Sequence, residues 1–299
     1  MEIIVDLKLT VPEENLLDMH SVVNVLNIVA LELTRLIMVS GENPALETLV
    51  TQTIDAARSL SDAEAARGQI ANIERFIGAI KPVLSQLSDR VIRQPEHFFE
   101  VLESIENIES IFDVLRVRAK EIQARFDDPY GWVDHDVAQL QGNFLTVLRA
   151  IEKNSRGGYR IVYNLAEHEA GDYLVNFEIT SAAGSKIRMP AIFQDVMRDL
   201  LANARKYTDP GGRIDAGLFN SGSELRFIVS DTGRGIPADE IEKLVQFGSR
   251  GSNVGDKPTR GGGFGLTKAY YVTRKFDGRM WIESDAGTGT RIEIRIPVR

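Results

Sequence analysis

Asp199-Leu200-Leu201-Ala202-Asn203-Ala204-Arg205-Lys206-Tyr207 is the stretch on which the fold turns. Read as a helix, it stacks Asp199, Asn203 and Lys206 on one face at i, i+4 and i+7, so a carboxylate, an amide oxygen and an ammonium converge. An amide oxygen suits a hard divalent cation, and a lysine supplies a point charge for phosphate. Three further segments follow. Asp231-Thr232-Gly233-Arg234-Gly235-Ile236-Pro237 comes after a strand pattern at 225–230; its glycines let backbone approach a ligand closely, and its carboxylate can accept from an exocyclic amine. Gly261-Gly262-Gly263-Phe264-Gly265-Leu266 opens a helix and so presents amide N–H groups and the positive helix end to phosphates. Gly287-Thr288-Gly289-Thr290 is a tight turn into the last strand. Each glycine segment alone is more often a turn than a phosphate site, but their order and spacing together point to a nucleotide.

Working outward, strand patterns at 159–163, 173–179, 214–219, 225–230, 280–283 and 290–296 alternate with helix patterns near 191–207, 238–247 and 265–275. This predicts an α/β sandwich over 156–299. Residues 1–155 read differently: apolar residues recur at helical spacing, and only Ile3, Val5, Leu7 and Leu9 alternate like a strand. A first helix opens with a capping-box pattern, Thr10 and Glu13, carries Pro12 in its first turn, and stops near 41–44. Leu16, Met19, Val23, Leu26, Ala30, Leu33 and Ile37 give it a seam for a partner helix. Further helices are expected at 45–60, 62–92, 96–126 and 134–155, the fourth with a stripe from Phe98 to Ile122. The fold class expected is therefore multi-domain, α and α+β: a helical bundle over 1–155, a hinge at Asn154-Ser155-Arg156-Gly157-Gly158, and the sandwich.

Composition narrows the chemistry. Of 299 residues, 43 are acidic and 35 basic, a net charge of −8 with no long run of like charge, which argues against nucleic-acid binding. The absence of cysteine excludes disulfides, thiol nucleophiles and cysteine-ligated zinc. The acidic start lacks a secretory n-region, and the most apolar stretch, 21–39, is interrupted by Asn24, Asn27, Glu32 and Arg35. The expectation is a soluble, cytoplasmic chain with no membrane span. A dinucleotide-binding reading of 261–265 fails, since a polar loop rather than a first strand precedes it, and no GxxxxGK[ST] is present.

In order and spacing the four segments resemble the N, G1, G2 and G3 boxes of the GHKL, or Bergerat-fold, ATPases, specifically the catalytic domain of bacterial two-component sensor histidine kinases, over about 159–299. The resemblance implies ATP and Mg2+ as cofactors. It makes Asn203 the metal ligand, Lys206 a phosphate contact, Tyr207 an adenine-side or ribose-side contact, and Asp231 the acceptor from the adenine amine. Gly233, Gly235 and Ile236 belong to the base pocket, with Thr290 adding a polar contact. Phe247-Gly248-Ser249-Arg250-Gly251 stands at the F box, with Arg250 a phosphate contact, and 251–265 is the lid that leads into Gly261, Gly263, Phe264, Gly265 and Leu266. Asp199 occupies the position where hydrolytic relatives carry a catalytic glutamate.

The same family phosphorylates a histidine on a dimerising helical hairpin. His20, in His20-Ser21-Val22-Val23-Asn24-Val25-Leu26, is similar to its H-x-[apolar]-x-N-x-L box, flanks the seam and is expected at the bundle surface, with Asn24 one turn on to position a water. Ser21 stands where the family places an acid. His97 is the second candidate, His135 reads as a surface or cap residue, and His168 falls in the strand-rich half. The implied protein is a homodimeric kinase that passes phosphate to the receiver domain of a response regulator. A GHKL serine kinase and an ATP-binding scaffold are the alternatives.

Overall fold

The computed structural model describes residues 1–91, 97–155, 157–254 and 263–298. They fall into two compact units: Leu9–Asp128, and Met1–Lys8 together with Pro129–Arg299.

The first unit is helical: α1 (Val11–Ser40), α2 (Pro44–Ser59), α3 (Ala63–Ala71), α4 (Ile73–Val91) and α5 (Phe98–Ala124). The capping box forms, with Glu13 Oε2 accepting from the Thr10 amide at 2.7 Å and its hydroxyl at 2.8 Å. Asn43 caps α2 by accepting from the Ala45 and Leu46 amides. Val29, Leu33 and Leu36 of α1, Leu46 of α2, Ile80 of α4 and Phe112 and Leu115 of α5 share one core. On α1 the buried arc is wider than the expected seam. Leu17, Val22, Val25, Val29 and Leu36 join Met19, Leu26, Ala30 and Leu33, while Val23 and Ile37 are only partly covered, because both α2 and α5 pack on this helix. By length and composition α1 is apolar enough to cross a bilayer, contrary to the reading of 21–39; here it serves as the core helix of the bundle. The single helix expected at 62–92 is two, parted at Asn72, whose amide reaches back to Gly68 and Gln69.

The second unit is built on a six-stranded sheet of order β2-β3-β5-β6-β8-β7, comprising β2 (Ile161–Val162), β3 (Tyr173–Ser181), β5 (Arg213–Asn220), β6 (Glu224–Asp231), β7 (Arg279–Ser284) and β8 (Thr290–Pro297). β2, β3 and β5 run parallel, and the remaining pairs are antiparallel. In β8 the buried Ile292, Ile294 and Ile296 alternate with Arg291, Glu293 and Arg295. The helices α6 (Val137–Asn154), α7 (Phe193–Tyr207) and α9 (Gly265–Lys275) pack on this sheet, and α8 (Ile241–Leu244) is one turn. The expected order, helices followed by an α/β sandwich, is what the chain forms.

The boundary lies elsewhere than at 155/156. Two strands not foreseen, β1 (Trp132–Asp136) and β4 (Lys186–Pro190), pair antiparallel, and α6 packs on β3, so 129–155 belongs with the sheet. Residues 1–8 belong there too: the Ile3 amide donates to Met280 O at 2.9 Å, the Ile282 amide donates to Met1 O at 2.9 Å, and Glu2 pairs with Arg279. Arg156 of the expected hinge lies outside the described residues.

Candidate nucleotide-binding site

α7 is amphipathic by sequence. Phe193, Val196, Met197, Leu200, Leu201 and Ala204 are buried, while Asp199, Asn203 and Lys206 stand at partly exposed positions along a single face. Asn203 lies against the start of α9, where a Cβ built on Gly265 would come within 2.7 Å of its Nδ2. Asp199 Oδ2, one turn from Asn203, is shielded from solvent and has no hydrogen-bond partner among the described residues. Lys206 is half-buried, its ammonium 4.9 Å from the centre of the Tyr207 ring. Burial, then the Arg250 and Arg205 cations, hold its pKa below the usual lysine value. Burial pushes the Tyr207 hydroxyl up, and Arg250 and Arg234 partly offset it. Lys206, Tyr207 and Arg250 are thus close enough to act on one another.

Asp231 ends β6. Burial raises its pKa, opposed by the nearby Gly233 and Thr290 amides and the Thr208 hydroxyl. The Gly233 amide donates at 2.8 Å. No cation is among the causes of that shift, so the carboxylate keeps acceptor capacity for a neutral donor. Gly235 (φ +67°) and Gly289 (φ +87°) allow two turns to interlock: a Cβ on Gly235 would lie 1.9 Å from Asp285 O, and one on Gly289 would lie 1.9 Å from Asp231 O. Ser284 fastens the same corner. Its Oγ accepts from the Ile236 amide at 2.7 Å and lies 3.0 Å from Thr290 Oγ1. A cavity of about 360 Å³ opens here, lined by Asp231, Ser284, Asp285, Gly289 and Thr290 among others. A larger one, about 590 Å³, lies on the outer sheet face between α6 and β5 and contains none of the expected site residues.

The F-box segment meets the head of α9. The Phe247 and Phe264 rings are 4.6 Å apart, Thr267 Oγ1 donates to Gln246 O at 3.0 Å, and a Cβ on Gly263 would lie 2.5 Å from Ser249 O. Leu266 is partly buried in the first turn of α9. Gly261 and most of the expected lid lie outside the described residues.

The histidines depart from expectation. His20 is buried, only 6% exposed, rather than standing at the bundle surface, because the arc of α1 that is covered reaches it. Asn24 does share its face, with Nδ2 3.0 Å from His20 Nε2. His97 is the accessible one, its side chain 56% exposed and Nδ1 3.5 Å from Glu100 Oε2. His135 is in β1 rather than at a helix start, half-buried, with its pKa lowered by burial against the pull of Asp134. Sequence reasoning passed over Thr208, Ser284 and Arg234. Thr208 directly follows the α7 motif, which was its only signal; Arg234, within the Asp231 turn, donates to Asn253 O at 2.8 Å.

Residues 189–299 match the family described as histidine kinase-, DNA gyrase B-, and HSP90-like ATPase. The adaptive-response sensory kinase SasA of Synechococcus elongatus is 34% identical over 110 residues, 36% of this chain and 28% of that protein. Sensor histidine kinase RppB of a Synechocystis species is 34% identical over 103 residues, 34% of this chain and 23% of that protein. The chain thus covers under a third of the length of these relatives. The mycobacterial sensor histidine kinase MprB superposes at a TM-score of 0.41 with 20% identity, covering 56% of this chain and 99% of that one.

Proposed function

We propose, from the premise that this chain carries a GHKL ATPase domain of the sensor histidine kinase kind, that it binds Mg-ATP, phosphorylates one of its own histidines and passes the phosphoryl group to an aspartate of a separate response regulator. The single observation that carries the ATP site is Asp231, a carboxylate half withdrawn from water, held by the Gly233 amide beside a cavity. It accepts from the adenine amine, with Gly233, Gly235, Ile236 and Thr290 shaping the base pocket. Lys206, Arg250 and the amide end of α9 at Gly263, Phe264, Gly265 and Leu266 receive the phosphates. Tyr207 lies between the two ends.

The residues present fit a magnesium ion. Asn203 offers an amide oxygen, and the shielded Asp199 Oδ2, without a hydrogen-bond partner among the described residues, lies one turn away, matching the preference of this ion for a few oxygens plus phosphate. Bound there, the ion would neutralise charge on the phosphate oxygens during transfer. The chain's own task is positioning. The acceptor imidazole uses its ring lone pair to form an N–P bond as the P–O bond to ADP breaks; ADP leaves with that electron pair, and the ring N–H proton passes to solvent.

His20 is the acceptor on this reading, with Asn24 beside it, and it must be uncovered before it can react. The exposure of His97 favours a second reading in which that residue is the acceptor and Glu100 takes up the proton. Homodimerisation, a cytoplasmic location and the receiver-domain partner belong to the same proposal. It is tested by incubating the purified chain with γ-labelled ATP and magnesium, comparing wild type, His20→Gln and His97→Gln, and assaying acid lability of the label. Acid-labile label lost only in His20→Gln is the expected result. Loss only in His97→Gln moves the acceptor, acid-stable label favours a serine kinase, and ATP binding without label favours a scaffold.

A further inference from the structure

Behind the nucleotide face, three charged side chains are withdrawn from water. Lys268, in the first turns of α9, is 0% exposed, with Nζ 3.2 Å from Asp195 Oδ2. Asp195, at the start of α7, is 2% exposed and accepts through Oδ1 from Arg198 Nη1 at 3.1 Å. Arg198 also donates to Gln194 Oε1 at 3.2 Å and lies over the Phe144 ring of α6.

Stability gives no reason for the lysine. An apolar side chain of its volume, among the buried Ala269, Tyr270 and Val272, would serve packing as well or better, since the desolvation of a buried ion pair commonly matches or exceeds its attraction. What an ion pair adds is direction. Asp195 precedes Asn203 by eight residues, about two turns down α7, where it is buried while Asn203 stands partly exposed. Lys268 stands three residues after Gly265, the residue that abuts Asn203. The pair therefore ties the helix that carries Asn203 to the helix that begins at Gly265, through a bond that apolar packing would leave free to slide.

We propose that Lys268 and Asp195 are positioning residues for the phosphate half of the nucleotide site: their ion pair sets the depth and rotation of the first turn of α9, and so keeps its amide end in register with Asn203. This rests on the ATP-site reading above. The base pocket, built on Asp231 and Thr290, shares none of these contacts, so the effect falls on phosphate and not on adenine recognition.

The test is titration of the full chain with a fluorescent ADP analogue in magnesium, with adenosine as competitor, beside a thermal melt. Lys268→Met preserves side-chain length and leaves Asp195 with Arg198. The expected result is a dissociation constant for ADP raised about tenfold or more, adenosine affinity unchanged, and a cooperative melt retained. Wild-type ADP affinity in a folded Lys268→Met overturns the proposal, as does an equal loss of ADP and adenosine, which would mark general loosening. If Lys268→Met does not fold, Asp195→Asn, of the same shape without the charge, is read by the same two outcomes. Failure of the wild type to bind ADP would instead overturn the nucleotide reading itself, and this proposal with it.

Discussion

Lys206 is poised for an anion. In the free protein, burial and the nearby Arg250 and Arg205 favour its neutral amine, whereas bound phosphate would favour the ammonium. Nucleotide binding must therefore raise its pKa, with proton uptake wherever the free group has lost its proton. Affinity for ADP is expected to fall as pH rises from the depressed value toward the ordinary lysine value. Lys206→Met should bind more weakly with a flat profile, and a falling profile in that variant would assign the titration to another group. The same shift fixes the sign for stability: over this range the unfolded chain binds more protons than the folded one, so the free fold gains stability as pH rises toward the ordinary lysine value. Asn203 and Lys206 were legible because one helical face aligns them whatever the tertiary surroundings. The burial of His20 was not, since spacing within α1 carries no trace of what packs against the flank of its seam.

At the scale of elements, the base pocket depends on two turns locked into each other. Gly287 and Gly289 lie in one turn with φ of +81° and +87°, but a Cβ on Gly287 meets nothing within 4 Å, whereas one on Gly289 would be 1.9 Å from Asp231 O. Gly287→Ala should cost only the left-handed strain, about 1 kcal/mol. Gly289→Ala must in addition push β6 and its carboxylate away, and should cost more than about 2 kcal/mol while weakening adenosine binding. Urea unfolding of the two variants checks this, and equal costs would mean that the turns are not locked. The five longer strands of the sheet and the helices at 193–207 and 265–275 were readable from periodicity because each is long and one-sided, whereas β2 keeps only Ile161 and Val162 of the pattern at 159–163. β1 and β4 were not: they are five residues each, β1 has no alternation in its burial, and they are strands only because they pair with each other across the chain.

At the scale of the whole molecule, the chain leaves the sheet unit after Lys8 and re-enters it at Pro129, and both connecting segments are fastened to α9. On the way out, the Val5 amide donates to Tyr270 Oη at 3.0 Å, and the same hydroxyl donates to Val5 O at 2.9 Å. On the way back, the Tyr130 and Trp132 rings meet Phe276 edge-on at 6.0 and 5.9 Å, and Lys275 lies over the Tyr130 ring. This arrangement was hidden in the sequence because the alternation of Ile3, Val5, Leu7 and Leu9 announces a strand but not its partner, and that partner lies at the far end of the chain. The helix whose first turn abuts Asn203 thus also contacts the segments at Val5 and Tyr130, both within the sheet unit. Tyr270→Phe isolates one attachment. It removes a single hydroxyl from a side chain 2% exposed and strips Val5 of two backbone bonds at once, while the pairing of Ile3 with Met280 remains. The expected cost is about 1–3 kcal/mol in global stability, with amide hydrogen exchange accelerated at Val5 more than at Ile3. Equal acceleration at both would show that residues 1–8 peel from β7 as one piece, and no acceleration at either would show that the β7 edge alone holds them and that Tyr270 bears no load.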